Sequence, residues 1–380
     1  MQWSFFRDFC IVGSKLAGLL ISNLFLAQTH TRLFDMKACV LHGKGDIRFE
    51  DIPEPVIKEA CEVKVKILAG GICGSDQHYY TEGGIGTAIV VREPIVMGHE
   101  GCGIVEEVGS EVTDLKVGDM VILRPARPCF DCEYCRIGKY SYCLNMRHLG
   151  SAATFPHVQG LFSEKVVVHK AQCRVVKNMK PEVAAFAEPL GIAYNGVHCL
   201  GDVIGKNVLV MGAGPIGCLC AAAAKTLGAD RVTVVDIRDQ VLDIALKMGA
   251  DEVCNSKTNP EQIEKWCENK GHFDCCIEAT GNGFAAVQAM KMTRPEGVVS
   301  QVGMYGSGHQ PTDLGAFAVK GLKWHSVFRF YEEFGPCVSA LERGLIDPLP
   351  LLSASYEAKD IQQAMDAALS PETMKVQIHF

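Results

Sequence analysis

A chain of 380 residues is too long for one ordinary core, so two domains are expected. Hydrophobic residues make up 48% and charged residues 21%, the balance of a soluble globular protein, which excludes a disordered tail, a collagen-like repeat and a many-spanning membrane protein. A net charge of −7, from 37 basic and 44 acidic residues with no basic block, argues against nucleic acid as a partner.

Residues 1–35 differ in character from the rest of the chain. Their apolar run, Leu16 to Ala27, is too short for a bilayer core that needs about 20 residues, and Phe25 sits where a signal-peptide cut wants a small side chain. The expectation is an N-terminal extension outside the fold, with Met36 as the usual start; a targeting or anchoring segment is the alternative. Membrane attachment is not expected.

From Met36 to about Pro181, short alternating strands are broken by Gly, Pro and Asp, as in Val63–Ile67, Gly103–Gly109 and Asp119–Leu123. That rhythm predicts a β-rich, barrel-like domain. From about Gly191 the pattern becomes strand–helix alternation. Strands are expected at Asn207–Met211, Arg231–Val235, Phe273–Ile277 and Val298–Val302, with helices through Ala221–Leu227 and Val241–Met248. Such runs, apolar on both faces, predict a doubly wound parallel sheet, so the fold class is α/β. After Trp324 the chain returns to the first domain, ending in a strand near Lys375–Phe380.

Gly212-Ala213-Gly214-Pro215-Ile216-Gly217 follows the first of these strands and opens the first of these helices. Gly-x-Gly-x-x-Gly alone is weak, but this context is the one a dinucleotide site requires. Gly212 permits the tight turn, Gly214 lets backbone approach a pyrophosphate, and Gly217 lets helix pack on strand. The helix N-terminus then offers free N–H groups to phosphates. Asp236, at the end of the second strand, would accept bonds from ribose hydroxyls and favours NAD. Arg238 beside it keeps NADP open.

The chain carries 18 cysteines with no clean secretory signal, so they read as reduced thiols in a cytoplasmic setting: core filler, metal ligands or nucleophiles. Cys129, Cys132, Cys135 and Cys143 crowd onto one loop rich in turn residues. Four thiolates there would close a tetrahedral zinc site with no open position, hence a structural one. An iron–sulfur cluster is the rival.

Cys73 in Gly71-Ile72-Cys73-Gly74-Ser75-Asp76, His99 in Gly98-His99-Glu100-Gly101, and Glu188 in Ala187-Glu188-Pro189-Leu190 are each weak alone. Together they offer sulfur, imidazole and carboxylate, which suits zinc with an open position. With the four-cysteine run and the glycine turn in the same order, these motifs resemble the zinc-dependent medium-chain dehydrogenases over residues 36–380. The Cys-Gly-Ser-Asp and Ala-Glu-Pro-Leu elements are similar to the sorbitol and polyol dehydrogenase branch. The stretches 150–158, 185–190 and 347–354 look most like the L-idonate 5-dehydrogenases, which oxidise a sugar-acid hydroxyl.

The resemblance implies a GroES-like catalytic domain at 36–190 and 325–380, with a zinc lobe at about 125–145, and a Rossmann NAD-binding domain at 191–324. It implies two zinc ions per chain and a homo-oligomer, dimer or tetramer. Cys73 and His99 become zinc ligands. Either Glu100 or Glu188 supplies the third, the other staying beside the metal or entering its shell during turnover; Glu100 could instead form an ion pair that orients its loop. Ser75 and His78 match the family's proton relay, Tyr79 and Arg329 match substrate-pocket positions of the polyol branch, and Phe155 is a further substrate-binding candidate. A sugar acid would also need a cation, for which Arg329, Arg147, His148 and His157 are candidates. Other readings are a sorbitol or xylitol dehydrogenase, an L-galactonate or threonine dehydrogenase, and a catalytically silent zinc protein on the same fold.

Overall fold

Glu62–Gly71, the strand that organises the first domain, buries Val63, Val65, Ile67 and Ala69 completely, and its glycines let neighbouring strands close in. In the computed structural model, which describes residues 35–306 and 308–380, it lies inside a seven-stranded sheet. The expected N-terminal extension, save Asp35, lies outside the described residues.

The order across that sheet is Cys173–Val175, Met120–Leu123, Glu100–Val108, Glu62–Gly71, Lys375–His379 and Leu352–Glu357, with Lys165–His169 also on Glu62–Gly71. Two registers matter for function. Gly71 pairs with Glu100, and on the other side with Gln377. The end of one strand, the start of a second and the start of the C-terminal strand therefore meet at one point. Only glycine fits at 71, because a Cβ there would lie 2.1 Å from Glu100 Oε2.

The second domain is a six-stranded parallel sheet, ordered Glu252–Asn255, Arg231–Asp236, Asn207–Met211, Phe273–Glu278, Thr293–Gln301 and Lys323–Ser326. Its last strand crosses the boundary expected between 324 and 325. Val208, Val210, Val232, Val234, Cys275 and Ile277 fill its interior, each 1% exposed or less. The helices Ala187–His198 and Pro215–Thr226 pack together and join the two domains in one apolar core. The 17 described cysteines are all free. Cys218, Cys220, Cys275, Cys276 and Cys337 are buried core thiols, whose pKa burial drives up. Among the described residues no helix is long and apolar enough to cross a membrane.

Candidate active site and its two metal clusters

Cys73 caps the helix Gly74–Glu82, two residues beyond the end of its strand. Its backbone N–H donates to Asp76 Oδ2 at 2.9 Å, so Asp76 is locked beneath it. The other Asp76 oxygen is fully buried, has no hydrogen-bond partner, and faces His99 Nδ1 at 3.7 Å. A carboxylate facing one ring nitrogen favours a proton there and leaves the other nitrogen for a ligand role.

Cys73, His99 and Glu100 bring ligand atoms within 4.8 Å of one another. Glu100 is also gripped by Lys375, whose Nζ donates to both carboxylate oxygens at 2.8 Å and to Ile72 O at 3.1 Å. Glu188, in the first turn of Ala187–His198, is buried and hydrogen-bonds to nothing among the described residues. Burial pushes its carboxyl up to about 7, and Glu100 adds to the rise while His99 opposes it. Burial would depress the His99 pKa, but Asp76 and Cys73 outweigh it and hold it well above its ordinary value. The cluster is thus short of positive charge. A dication is what such a donor set accommodates, with sulfur, imidazole and carboxylate matching zinc.

The second cluster is tighter. Cys132 to Cys135, and Cys143 to Cys129, are 3.5 Å apart between sulfurs, and Cys129 to Cys135 is 4.0 Å. A tetrahedron of zinc–sulfur bonds of about 2.3 Å requires edges of about 3.8 Å. The spacing fits one ion and leaves no room for the several atoms of an iron–sulfur cluster. Backbone N–H groups of Cys129 and Cys132 donate to sulfurs at 3.2 and 3.4 Å. Backbone hydrogen bonds from Asp131 and then Cys132 pull the Cys129 thiol down to about 6, toward the thiolate a metal needs.

At the nucleotide turn, Gly212 adopts φ of +98°, and a Cβ on Gly217 would lie 1.9 Å from Gly212 O. Gly214 has open space where a Cβ would stand, which is the cradle a pyrophosphate needs. Pro215 and Ile216 begin the helix behind it. Asp236 Oδ2 accepts from Ala213 N at 2.8 Å, and Oδ1 accepts from Arg238 N at 3.1 Å. Arg238 also donates to Pro371 O at 3.0 Å, across to the C-terminal segment. A cavity of about 550 Å³ opens here, lined by Gly212, Gly214, Asp236, Arg238 and Thr280.

The remaining candidates separate cleanly. Ser75 lies one turn before His78, which is exposed and paired with Glu82 at 2.9 Å. Tyr79 is buried, its hydroxyl accepting from Ala152 N at 3.2 Å. Phe155 is 62% exposed and touches the His157 ring. Both His157 nitrogens are used, one with Thr154 O and one with Arg92 N, so His157 has no hydrogen bond to spare for a substrate. Arg147 is exposed on a short strand paired with Ala126–Arg127. His148 is no cation: burial, then the charges of His99 and Arg329, drive its pKa well below the ordinary value. Its ring stands 5.5 Å from that of His99. Arg329, half-buried, is the candidate in that set whose charge acts on His148 and so reaches the catalytic face.

Two functional side chains escaped the sequence reading. Lys375 and Asp76 are a strand residue and a turn residue until the fold puts them against Glu100 and His99. A lysine that opens the last strand and is followed by Val376 and Ile378 was the available signal for the first.

The model of an alcohol dehydrogenase GroES-like domain matches residues 59–179, and that of a zinc-binding dehydrogenase matches 215–343. A pyridine nucleotide-disulphide oxidoreductase model also matches, at 149–270. L-idonate 5-dehydrogenase (NAD(P)(+)) of Escherichia coli strain K12 is 39% identical over 346 residues, covering 90% of this chain and 98% of that protein. Sorbitol dehydrogenase of Bombyx mori is 34% identical, with 90% and 98% covered. The crystal structure of the Escherichia coli L-idonate 5-dehydrogenase superposes with a TM-score of 0.87 at 36% identity, over 91% of this chain and 99% of that one.

Proposed function

The chain belongs to the zinc-dependent medium-chain dehydrogenases, in the polyol dehydrogenase branch, and from that premise we propose that it oxidises the 5-hydroxyl of L-idonate reversibly to the 5-ketone. Membership makes it an NAD(P)-dependent oxidoreductase acting on CH–OH groups, with zinc. The observation that carries the narrower substrate reading is Arg329, a half-buried cation near His148, whose ring neighbours His99, so it can pair with a sugar-acid carboxylate.

In this reading Cys73, His99 and Glu100 hold the catalytic zinc, Glu188 stands beside it, and the four-cysteine lobe holds the second ion. When bound, zinc would supply the Lewis acidity that makes a secondary hydroxyl easier to deprotonate, and NAD(P) would supply the hydride acceptor. Lys375 holds the Glu100 carboxylate in place, and Asp76 orients the His99 ring. Ser75 relays the substrate proton, accepting it as its own hydroxyl proton leaves toward His78, and His78 passes a proton to solvent, which its exposure permits. Tyr79 and Arg329 hold the substrate, Arg329 through its carboxylate, with Phe155 at the outer rim. Gly212, Gly214 and Gly217 cradle the pyrophosphate, and Asp236 takes the ribose of NAD, with Arg238 able to meet the extra phosphate of NADP. The enzyme works as a cytoplasmic homo-oligomer, joined along the outer strand Lys323–Ser326.

The test is a coupled assay of NADH and NADPH formation with L-idonate, sorbitol, xylitol, L-galactonate and L-threonine side by side. Preference for L-idonate, with two zinc ions per chain, is the expected result. Activity confined to neutral polyols would overturn the sugar-acid reading and leave the family's sorbitol dehydrogenase activity in its place.

A further inference from the structure

Arg329 sits in a backbone conformation that side chains rarely adopt, with φ of +58°. Such a residue costs about 1 kcal/mol or more and persists only where its flanks over-determine it. Behind it, Asn195 Nδ2 donates to Arg329 O at 2.7 Å, and Val327 N donates to Gln301 O at 2.8 Å. Its guanidinium lies 4.7 Å from the Phe328 ring centroid.

The residues on either side of it lean on the four-cysteine lobe. The Tyr331 ring lies 4.5 Å from that of Tyr140 and 6.3 Å from that of Phe130, and the Phe328 ring lies 6.3 Å from that of Tyr142. All three lobe aromatics belong to the segment that carries the cysteines. Tyr331 also stacks with the Arg124 guanidinium, 3.7 Å from its centroid, and Arg124 is itself fixed by donating to Ala171 O at 2.9 Å. Asn195 belongs to the helix Ala187–His198 that carries Glu188, which sets the Arg329 backbone between the lobe aromatics and the catalytic face.

We propose that Tyr331 is a positioning residue: by packing between Arg124 and Tyr140 it makes the four-cysteine lobe hold Arg329 toward the catalytic cleft. The lobe then has a task beyond stability, setting the cleft's affinity for an anionic substrate. This rests on the reading of Arg329 as the carboxylate partner.

The test compares Tyr331→Leu, Tyr140→Leu and the conservative Tyr331→Phe in the full-length, zinc-loaded protein. Two readouts are taken: steady-state kinetics with L-idonate, and the rate at which phenylglyoxal modifies Arg329, followed by peptide mass spectrometry. Each leucine variant is expected to raise KM for L-idonate about fivefold to tenfold, with kcat and KM for NAD within about twofold of the parent. Arg329 labelling should quicken in both, and Tyr331→Phe should restore both readouts. Should Tyr331→Leu fail to fold, Tyr140→Leu, on the lobe's side of the contact, carries the test. Parental KM and parental labelling in a folded leucine variant that retains two zinc ions would overturn the proposal. Arg329→Ala separates the premise: unchanged L-idonate preference there would sink the carboxylate reading, while the labelling result still judges the positioning of Arg329 by Tyr331.

Discussion

The two metal clusters are built in opposite ways. The lobe takes all four sulfurs from 15 consecutive residues, Cys129 to Cys143, and its spacing is a property of a local loop. The candidate catalytic cluster draws Cys73, Asp76, His99, Glu100, Glu188 and Lys375 from four separate segments, and it exists only because three strand ends and two helix starts converge. A local cage can form once its loop folds; a convergent one needs the whole domain in register. The first tolerates change around it, and the second depends on charges that have no water to fall back on.

That contrast is sharpest in metal content and rate. His99→Ala should release one zinc per chain and lower kcat/KM by on the order of 10³-fold or more, while the lobe keeps its ion. Cys135→Ser should release the other zinc instead. Metal analysis of both variants checks this, and loss of both ions from either one would break the independence of the two clusters.

Next in size is the buried pair Glu100–Lys375, whose side chains are 1% and 6% exposed. In the zinc-free protein, Lys375→Met leaves a buried carboxylate without its cation and should cost about 3–5 kcal/mol in urea unfolding. Adding Glu100→Gln to it should recover part of that loss, since the stranded charge is gone. A loss under about 1 kcal/mol for Lys375→Met would show that water reaches the site and that convergence does not isolate its charges.

The nucleotide turn gives a smaller effect with a built-in control. Gly214→Ala fills space only a ligand would use, so KM for NAD should rise roughly tenfold while the melting temperature holds. Gly217→Ala would drive a Cβ into Gly212 O and should lower stability first. Smallest of all, Arg136→Ala removes the lobe's exposed ion pair to Asp131 and should leave the urea unfolding midpoint where it stands. A clear fall in that midpoint would mean that surface charge, and not sulfur ligation, holds the lobe together.

Much of this was legible in the chain itself. The parallel sheet announced itself because strands covered on both faces must be apolar throughout, and Asn207–Met211 with Gly212–Gly217 is a strand, turn and helix in one short stretch. The four cysteines were legible for the same reason, being close in sequence and so forced to be close in space. The β-rich domain was visible as strands but not as pairings, since register between distant strands is set by packing and not by local pattern. The last strand of the second sheet shows the limit: Lys323–Ser326 is short and mostly polar, and only its pairing with Thr293–Gln301 extends that domain to Ser326.

By itself, then, the sequence determined residue chemistry and local geometry: a dinucleotide turn, a four-sulfur loop, and cysteine, histidine and glutamate donors in a fixed order. Tertiary structure decided how those donors are charged and supported. It set Lys375 on Glu100 across 275 residues of chain, put Asp76 behind His99, made His148 neutral, and left Arg329 as the candidate whose charge acts on His148. The physical reason is that burial and electrostatic pairing act through space at a few ångströms, and no spacing along the chain encodes which distant segments will meet.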